Sequence, residues 1–157
     1  MHRRPEGEED APFLFALHAA DHGATFSMLP PPLRDLLLRQ TFDGKRLTYR
    51  VRYPDARWEI LEADGAPIGR IVTDRGARGL TLIDIALLPE RRGRGLGARL
   101  IAETMDEARA AGLPLHLTVA ADNPGARRLY ERLGFVPGQA TELHTELVWT
   151  PPAAPGA

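Results

Sequence analysis

Apolar residues recur at helical spacing through the first third of the chain. Between Glu8 and about Ala20, the residues Phe13, Leu14, Leu17 and Ala20 share one face, as an amphipathic helix requires. Gly23 ends that pattern, and Pro30-Pro31-Pro32 marks a connection to a second helix from about Leu33. Leu33, Leu36, Leu37, Gln40 and Thr41 supply its inner face, and the pattern runs on, with a break near Gly44, to Arg52 before Pro54 closes it. From Arg57 the pattern changes to strands. Trp58 to Glu62 and Pro67 to Thr73 flank Asp64-Gly65 and read as a hairpin. After a second turn, from Arg75-Gly76 to Gly79, Leu80 to Leu88 is nearly continuously apolar, the signature of a central strand covered on both faces. A helix from about Leu96 to Ala111 shows Leu96, Leu100, Ile101, Thr104, Met105 and Ala108 on one face. Gly112 stops it, and Pro114 starts the strand Leu115 to Ala120. A shorter helix, Pro124 to Leu133, ends at Gly134, and a last strand covers about Glu142 to Thr150. The order α-α-β-β-β-α-β-α-β predicts an α/β or α+β domain with a mixed sheet.

Composition narrows what such a domain can do. At 157 residues, the chain fits a single domain over 1–150, followed by a disordered Pro/Ala tail over 151–157. Its 20 basic and 21 acidic side chains give a net charge of −1. That argues against a generic binder of nucleic acid or anionic membrane, because counterion release needs a net basic footprint, and it leaves room for a local anion site. Acidic residues occupy Glu6 to Asp10, where a secretory signal would need an apolar run. No stretch reaches the roughly 18 apolar residues of a membrane span, so a cytoplasmic location is the default expectation. Lys45 is the only lysine, a bias that hints at a GC-rich bacterial genome. With no Cys, and Ser27 as the only serine, thiolate or serine nucleophiles are nearly closed off. An enzyme of this composition uses acid–base and positioning chemistry, or borrows reactivity from a cofactor.

The strongest local signal is Pro89-Glu90-Arg91-Arg92-Gly93-Arg94-Gly95-Leu96-Gly97, set between the central strand and a helix. Alternate glycines strip away Cβ atoms, and the helix start offers unpaired N–H groups and partial positive charge. Arg91, Arg92, Arg94 and Arg99 concentrate formal charge there. A phosphorylated cofactor is the direct physical reading; a tight turn carrying solvated arginines is the alternative. A Walker A loop fails because no Gly-Lys-Ser/Thr is present. Gly93, Gly95 and Ala98 satisfy the dinucleotide pattern G-x-G-x-x-A, with Asp122 ending the next strand. That motif requires the strand to run directly into the first glycine, whereas Pro89 to Arg92 intervene.

A second segment, Asn123-Pro124-Gly125-Ala126-Arg127-Arg128-Leu129-Tyr130-Glu131-Arg132-Leu133-Gly134-Phe135, places Asn123 as an N-cap. Ala126, Leu129, Tyr130 and Leu133 follow on one helical face. Together the two segments resemble the GNAT superfamily of acyl-CoA-dependent N-acetyltransferases. Arg92-x-x-Gly95-x-Gly97 is similar to its pyrophosphate loop, and Asn123 to Phe135 to its second cofactor-binding segment. The resemblance is specific from about Trp58 to Phe135; in the N-terminal helices only the element order agrees.

The resemblance implies a mixed, mostly antiparallel sheet flanked by helices, in which the fourth strand splays from the fifth and acyl-CoA wedges between them. Pantetheine would pair with the backbone of Ile85, Ala86 and Leu87. The backbone of Gly93, Arg94, Gly95, Leu96, Gly97 and Ala98 would hold the pyrophosphate, with Arg92 and Arg94 adding charge. Asn123 would contact the pantetheine arm or hold the splayed strand end, and the Leu87 N–H would polarise the thioester carbonyl. The implied enzyme is an N-acetyltransferase in which an amine attacks acetyl-CoA directly within a ternary complex. It needs no metal, and its acceptor is a small-molecule or protein amine. A non-catalytic acyl-CoA-binding sensor or interaction module is the alternative, and nothing in the sequence bars a homodimer.

Two proton transfers limit this chemistry. An alkyl ammonium with a pKa near 10.4 must lose a proton before attack, and the departing thiolate must gain one. Tyr130 occupies the family's place for the phenol that protonates the sulfur, or else it merely orients the cofactor. For the base, some relatives that acetylate protein N-termini carry a glutamate five residues before the asparagine. Thr118 stands there in this chain, which counts against that acceptor class. Asp84 is the leading substitute, since an acid in an apolar strand is a poised base unless it is paired. The alternative is that Asp84 bonds a neighbouring loop or arginine, and His116 is a weaker candidate. His18 and His22, four apart on a helix, read as a solvated pair rather than a metal site. Asp21 to Leu33 and the loop-like Pro137 to Thr141 should shape specificity, and Glu142 and His144 could line the acceptor end.

Overall fold

A computed structural model of the protein describes residues 1–153 and Pro155. Ala154, Gly156 and Ala157, part of the tail expected to be disordered, lie outside the described residues. The strands are β1 (His2–Pro5), β2 (Arg57–Ala63), β3 (Ala66–Gly76), β4 (Gly79–Leu87), β5 (Leu115–Ala120), β6 (Val136–Ala140) and β7 (His144–Trp149). The helices are α1 (Ala11–His22), α2 (Pro31–Arg52), α3 (Leu96–Ala111) and α4 (Pro124–Arg132). The strands form one seven-stranded sheet in the order β1-β2-β3-β4-β5-β7-β6. The β1–β2, β5–β7 and β6–β7 ladders are antiparallel. β4 and β5 pair in parallel through Leu80↔Leu115 and Thr81↔His116, at the starts of both strands. This is the mixed, mostly antiparallel α/β architecture that the sequence predicts.

Two strands were not foreseen. β1 has no apolar alternation; it is recruited by pairing Arg3 with Leu61 and Arg4 with Ile60, and by charge. Arg4 donates to Glu62 at 2.5 Å and to both carboxylate oxygens of Asp10 at 2.9 and 2.7 Å. These bonds hold the Asp10 carboxyl below the usual carboxylate range despite its burial. β6 covers Pro137 to Ala140, which the sequence assigns to a loop. Its residues are all exposed, and Pro137 sits in an edge strand, where a missing N–H costs least. β7 is correspondingly shorter than expected, so Glu142 lies in the turn before it and His144 starts it.

Chain contacts divide the protein into two compact units. The first comprises Met1–Val72 with Asp84–Gly97. It contains β1, α1, α2, β2, most of β3, the end of β4 and the glycine-rich turn. Its core joins Leu14, Phe42 and Ile60, with Phe13 and Phe15 packed against them. α2 runs unbroken through Gly44. A mid-helix glycine costs about 1 kcal/mol, and the buried face of Leu38 and Phe42 outweighs it. The second unit comprises Thr73–Ile83 with the described residues from Ala98 onward. There α3 buries Leu100, Ile101, Thr104, Met105 and Ala108, five of the six positions on its predicted inner face. No helix among the described residues is long and apolar enough to cross a membrane.

Candidate active site

The end of β4 leads through Leu88 and a short 3-10 turn at Pro89–Arg91 into the glycines. Gly93 and Gly95 have φ of 71° and 78°, left-handed values that a side chain adopts at a cost of about 1–2 kcal/mol. A Cβ built at Gly93, Gly95 or Gly97 meets nothing within 4 Å. The turn is therefore an open cradle of backbone leading into the first turn of a 16-residue helix. Such a cradle fits a pyrophosphate. Arg94 is exposed beside it. Arg92 is already engaged: its Nε donates to the Leu87 carbonyl at 3.0 Å and its Nη2 to Asp21 at the end of α1. Arg99 pairs with Glu103 along α3. Arg92 and Arg99 are thus structural ties, and Arg94 is an exposed charge at the cradle.

Within the first unit, α1, α2, β3 and β4 line a small pocket that opens to solvent. Leu14, Leu17 and Phe42 form its apolar wall, and Ala86 of β4 reaches it from the segment expected to carry pantetheine. The polar lining is His18, Asp21, Lys45, Arg46, Arg70 and Asp84. Arg70 is only 7% exposed. Its Nη2 donates to Asp84 Oδ2 at 2.5 Å, and its guanidinium lies 5.6 Å from the centre of the Trp58 ring. Lys45 Nζ stands 3.7 Å from the other Asp84 oxygen. Asp84 is therefore paired with two cations, which is the alternative weighed for it, and both oxygens are engaged. Arg46 is tied to the nearly buried Glu6 at 3.0 Å.

His18 corrects the expectation of a solvated histidine pair. It is buried at 8% exposure, with its ring 4.4 Å from that of His22 and 5.6 Å from Phe42. Burial, then the charges of His22 and Lys45, pushes its pKa down to about 4, so the imidazole is neutral near pH 7. The hydrogen-bond network also assigns its tautomer. Thr41 Oγ1 donates its one proton to the Leu38 carbonyl at 3.1 Å. His18 Nε2, 2.9 Å from that hydroxyl oxygen, must then be the donor, leaving the lone pair on Nδ1. Among the described residues no group of three His, Cys, Asp or Glu side chains could hold a metal.

The remaining sequence candidates lie in the second unit. Asn123 caps α4, its Oδ1 accepting from the Ala126 N–H at 3.2 Å. Tyr130 is half-buried on that helix, edge-on to Phe135 with ring centres 5.6 Å apart. Burial raises its phenol pKa, which keeps the proton on the oxygen through neutral pH. Ala98 continues α3 and is exposed. His116 is committed to the turn before β4: its Nε2 lies 3.0 Å from the Arg78 carbonyl and its Nδ1 is 3.7 Å from Glu146. Of the residues that form the pocket, Phe42, Lys45, Arg46 and Arg70 were not read from the sequence as site residues. A signal existed for Arg70: it and Asp84 are opposite charges in apolar strands, nearly equidistant from the turn between Gly76 and Gly79.

A glycine cradle at a helix start, following a strand end, is an arrangement that can seat a phosphate-bearing ligand. The chain belongs to the Acetyltransferase (GNAT) family, which matches residues 14–135. Among curated relatives, it is 34% identical over 91 residues to an aspartate/glutamate leucyltransferase of Brucella abortus, covering 58% of this chain and 36% of that protein. It is 38% identical over 96 residues to a mycothiol acetyltransferase of Nocardiopsis dassonvillei, covering 60% and 26%. The chain thus spans between about a quarter and just over a third of the length of these relatives. Among solved structures, an N-acetyltransferase of Thermoplasma acidophilum in complex with coenzyme A shares the fold with a TM-score of 0.70 at 17% identity, covering 95% and 98% of the two chains. Nourseothricin acetyltransferase is 30% identical with a TM-score of 0.51, covering 63% and 67%.

Proposed function

We propose that the protein is an acetyl-CoA-dependent N-acetyltransferase that acetylates an amine by direct attack in a ternary complex. The observation that carries this reading is the open backbone cradle of Gly93 to Gly97 at the start of α3, one short 3-10 turn beyond the β4 end at Ile85 to Leu87. Two comparisons support it: the acetyltransferase family match, and the coenzyme A held by the Thermoplasma protein of the same fold. When bound, acetyl-CoA supplies an acyl group activated as a thioester. The chain's own residues do the rest. The cradle N–H groups and Arg94 bind phosphate, while the backbone of Ile85, Ala86 and Leu87 aligns the pantetheine arm. Asn123 holds the start of α4. Arg92, by joining Leu87 to Asp21, fixes the β4 end against α1, so the acceptor pocket and the cradle keep one geometry.

Tyr130 delivers a proton to the departing sulfur. Its half-buried phenol is protonated across the neutral range, as an acid must be at the start of the cycle. Asp84, with both oxygens in ion pairs, organises Arg70 and Lys45. His18 lines the pocket, and its unprotonated Nδ1 offers a hydrogen-bond acceptor for an amine N–H or a water.

Calorimetry with acetyl-CoA and a free-thiol release assay over an amine panel test the reading. Micromolar binding and turnover are expected, with turnover reduced about 100-fold or more in Tyr130→Phe, the usual scale for a lost acid–base group. Turnover unchanged in that variant would remove Tyr130 as the acid. Binding without turnover on any amine would favour the sensor alternative, and no heat at millimolar acetyl-CoA would overturn the assignment.

A further inference from the structure

The charges that line the pocket do not balance. Arg46 and Arg50 share Glu6, and Asp21 is paired with Arg92. That leaves Asp84 alone against two cations, Arg70 and Lys45. His18 adds no compensating charge, because it is neutral near pH 7. The donors are not used up either. Arg70 Nε is buried without a hydrogen-bond partner, and Lys45 at 3.7 Å from Asp84 is within ion-pair range but beyond a hydrogen bond. Asp84 meets the Arg70 charge, but the buried Nε donor costs free energy until an acceptor oxygen meets it, and one carboxylate is shared between two cations.

We infer that the acceptor amine carries an anionic group, a carboxylate in the simplest case, which seats beside Lys45 and Arg70 in this pocket. The inference rests on the N-acetyltransferase reading for the reaction, but the pocket's charge is independent of it. The acceptor's carboxylate completes the charge balance: two cations then face two carboxylates, one from Asp84 and one from the substrate. The substrate amine is left toward Ala86, the strand end from which the acyl group would come. A polycationic acceptor such as a polyamine is disfavoured, since it would place ammonium groups against Lys45 and Arg70. The reaction consumes an amino acid or a chain end of that type and yields its N-acetyl derivative, with coenzyme A as the free thiol.

The test is a comparison of matched acceptors by thiol release: α-amino acids and acidic dipeptides against their carboxamides, with spermidine as the cationic control. The carboxylates should be preferred by about tenfold to a hundredfold in kcat/KM, the scale of one charge-assisted contact. In Lys45→Gln the ratio of carboxylate to carboxamide should shrink by about tenfold, chiefly through KM. Equal rates for the matched pairs, a preference for spermidine, or a ratio unmoved in Lys45→Gln would overturn the inference. If no acceptor turns over, calorimetry of N-acetyl amino acids against N-acetyl carboxamides decides it: tighter binding of the acids supports the charge assignment, and equal binding rejects it. Acetyl-CoA binding is measured separately, so failure of the transferase reading shows as lost cofactor heat with the anion preference intact.

Discussion

Replacing Asp84 by Asn separates a structural tether from a base. Arg70 and Asp84 have side chains 8% and 16% exposed and meet at 2.5 Å. Unit charges about 4 Å apart at an effective dielectric of about 20 attract by roughly 4 kcal/mol. Removing one member of a buried pair costs about 3–5 kcal/mol, because the other is left uncompensated. The Asn carbonyl still accepts from Arg70, so the loss should sit near the lower end, about 3 kcal/mol, or a melting shift of roughly 6–12 °C for a protein of this size. Urea unfolding followed by tryptophan fluorescence measures it, since Trp58 lies against Arg70. A cycle with Arg70→Met should return a coupling of about 2 kcal/mol, the double variant being more stable than the two single losses imply. A loss below about 1 kcal/mol for Asp84→Asn, or additive single variants, would refute the tether. Abolished turnover in an undiminished fold would then return Asp84 to the role of base.

Gly95→Ala should cost the fold about 1 kcal/mol through its φ of 78° alone, since no atom lies within 4 Å of the new Cβ. Acetyl-CoA binding should weaken by more than about tenfold, because that Cβ occupies the cradle; normal binding by calorimetry would place the pyrophosphate elsewhere. His18 predicts a pH dependence. Its folded pKa of about 4 lies below the unfolded 6.5, so the unfolded chain binds the proton first as pH falls. The stability contribution is complete above about pH 6.5 and is lost toward pH 4, up to about 3 kcal/mol. His18→Gln should therefore flatten the fall in urea midpoint between pH 7 and pH 4.5, and an identical slope in the variant would reject the assignment.

Local signals carried most of the architecture. α3 was legible because its apolar residues recur on one face and Gly112 follows it, and α4 because Asn123 caps it where a cap was expected. β1 was not legible: His-Arg-Arg-Pro has no apolar alternation, and its strand exists through the β2 backbone and the Arg4–Asp10–Glu62 bonds. β6 escaped for the same reason, being a proline- and glycine-bearing edge that only β7 organises. Gly44 predicted a break that did not occur, since tertiary burial of Leu38 and Phe42 overrides one weak helix former.

The glycine cradle was readable from the sequence because its chemistry is backbone chemistry, carried by residues contiguous in the chain. Gly93 and Gly95 take left-handed conformations on their own stereochemistry, and the helix start follows within the same few residues. The resemblance read from the sequence rests on that contiguity and on the segment from Asn123 to Phe135, within a family match over residues 14–135. The pocket is different. His18 from α1, Lys45 from α2, Arg70 from β3 and Asp84 from β4 acquire meaning only together. Whether Asp84 is a free acid or a paired one depends on the Arg70 and Lys45 side chains that folding delivers to its two oxygens. Burial, not composition, made His18 neutral and left a positive charge uncompensated. Charge pairing and desolvation are set by distances across elements, and those only the tertiary structure decides.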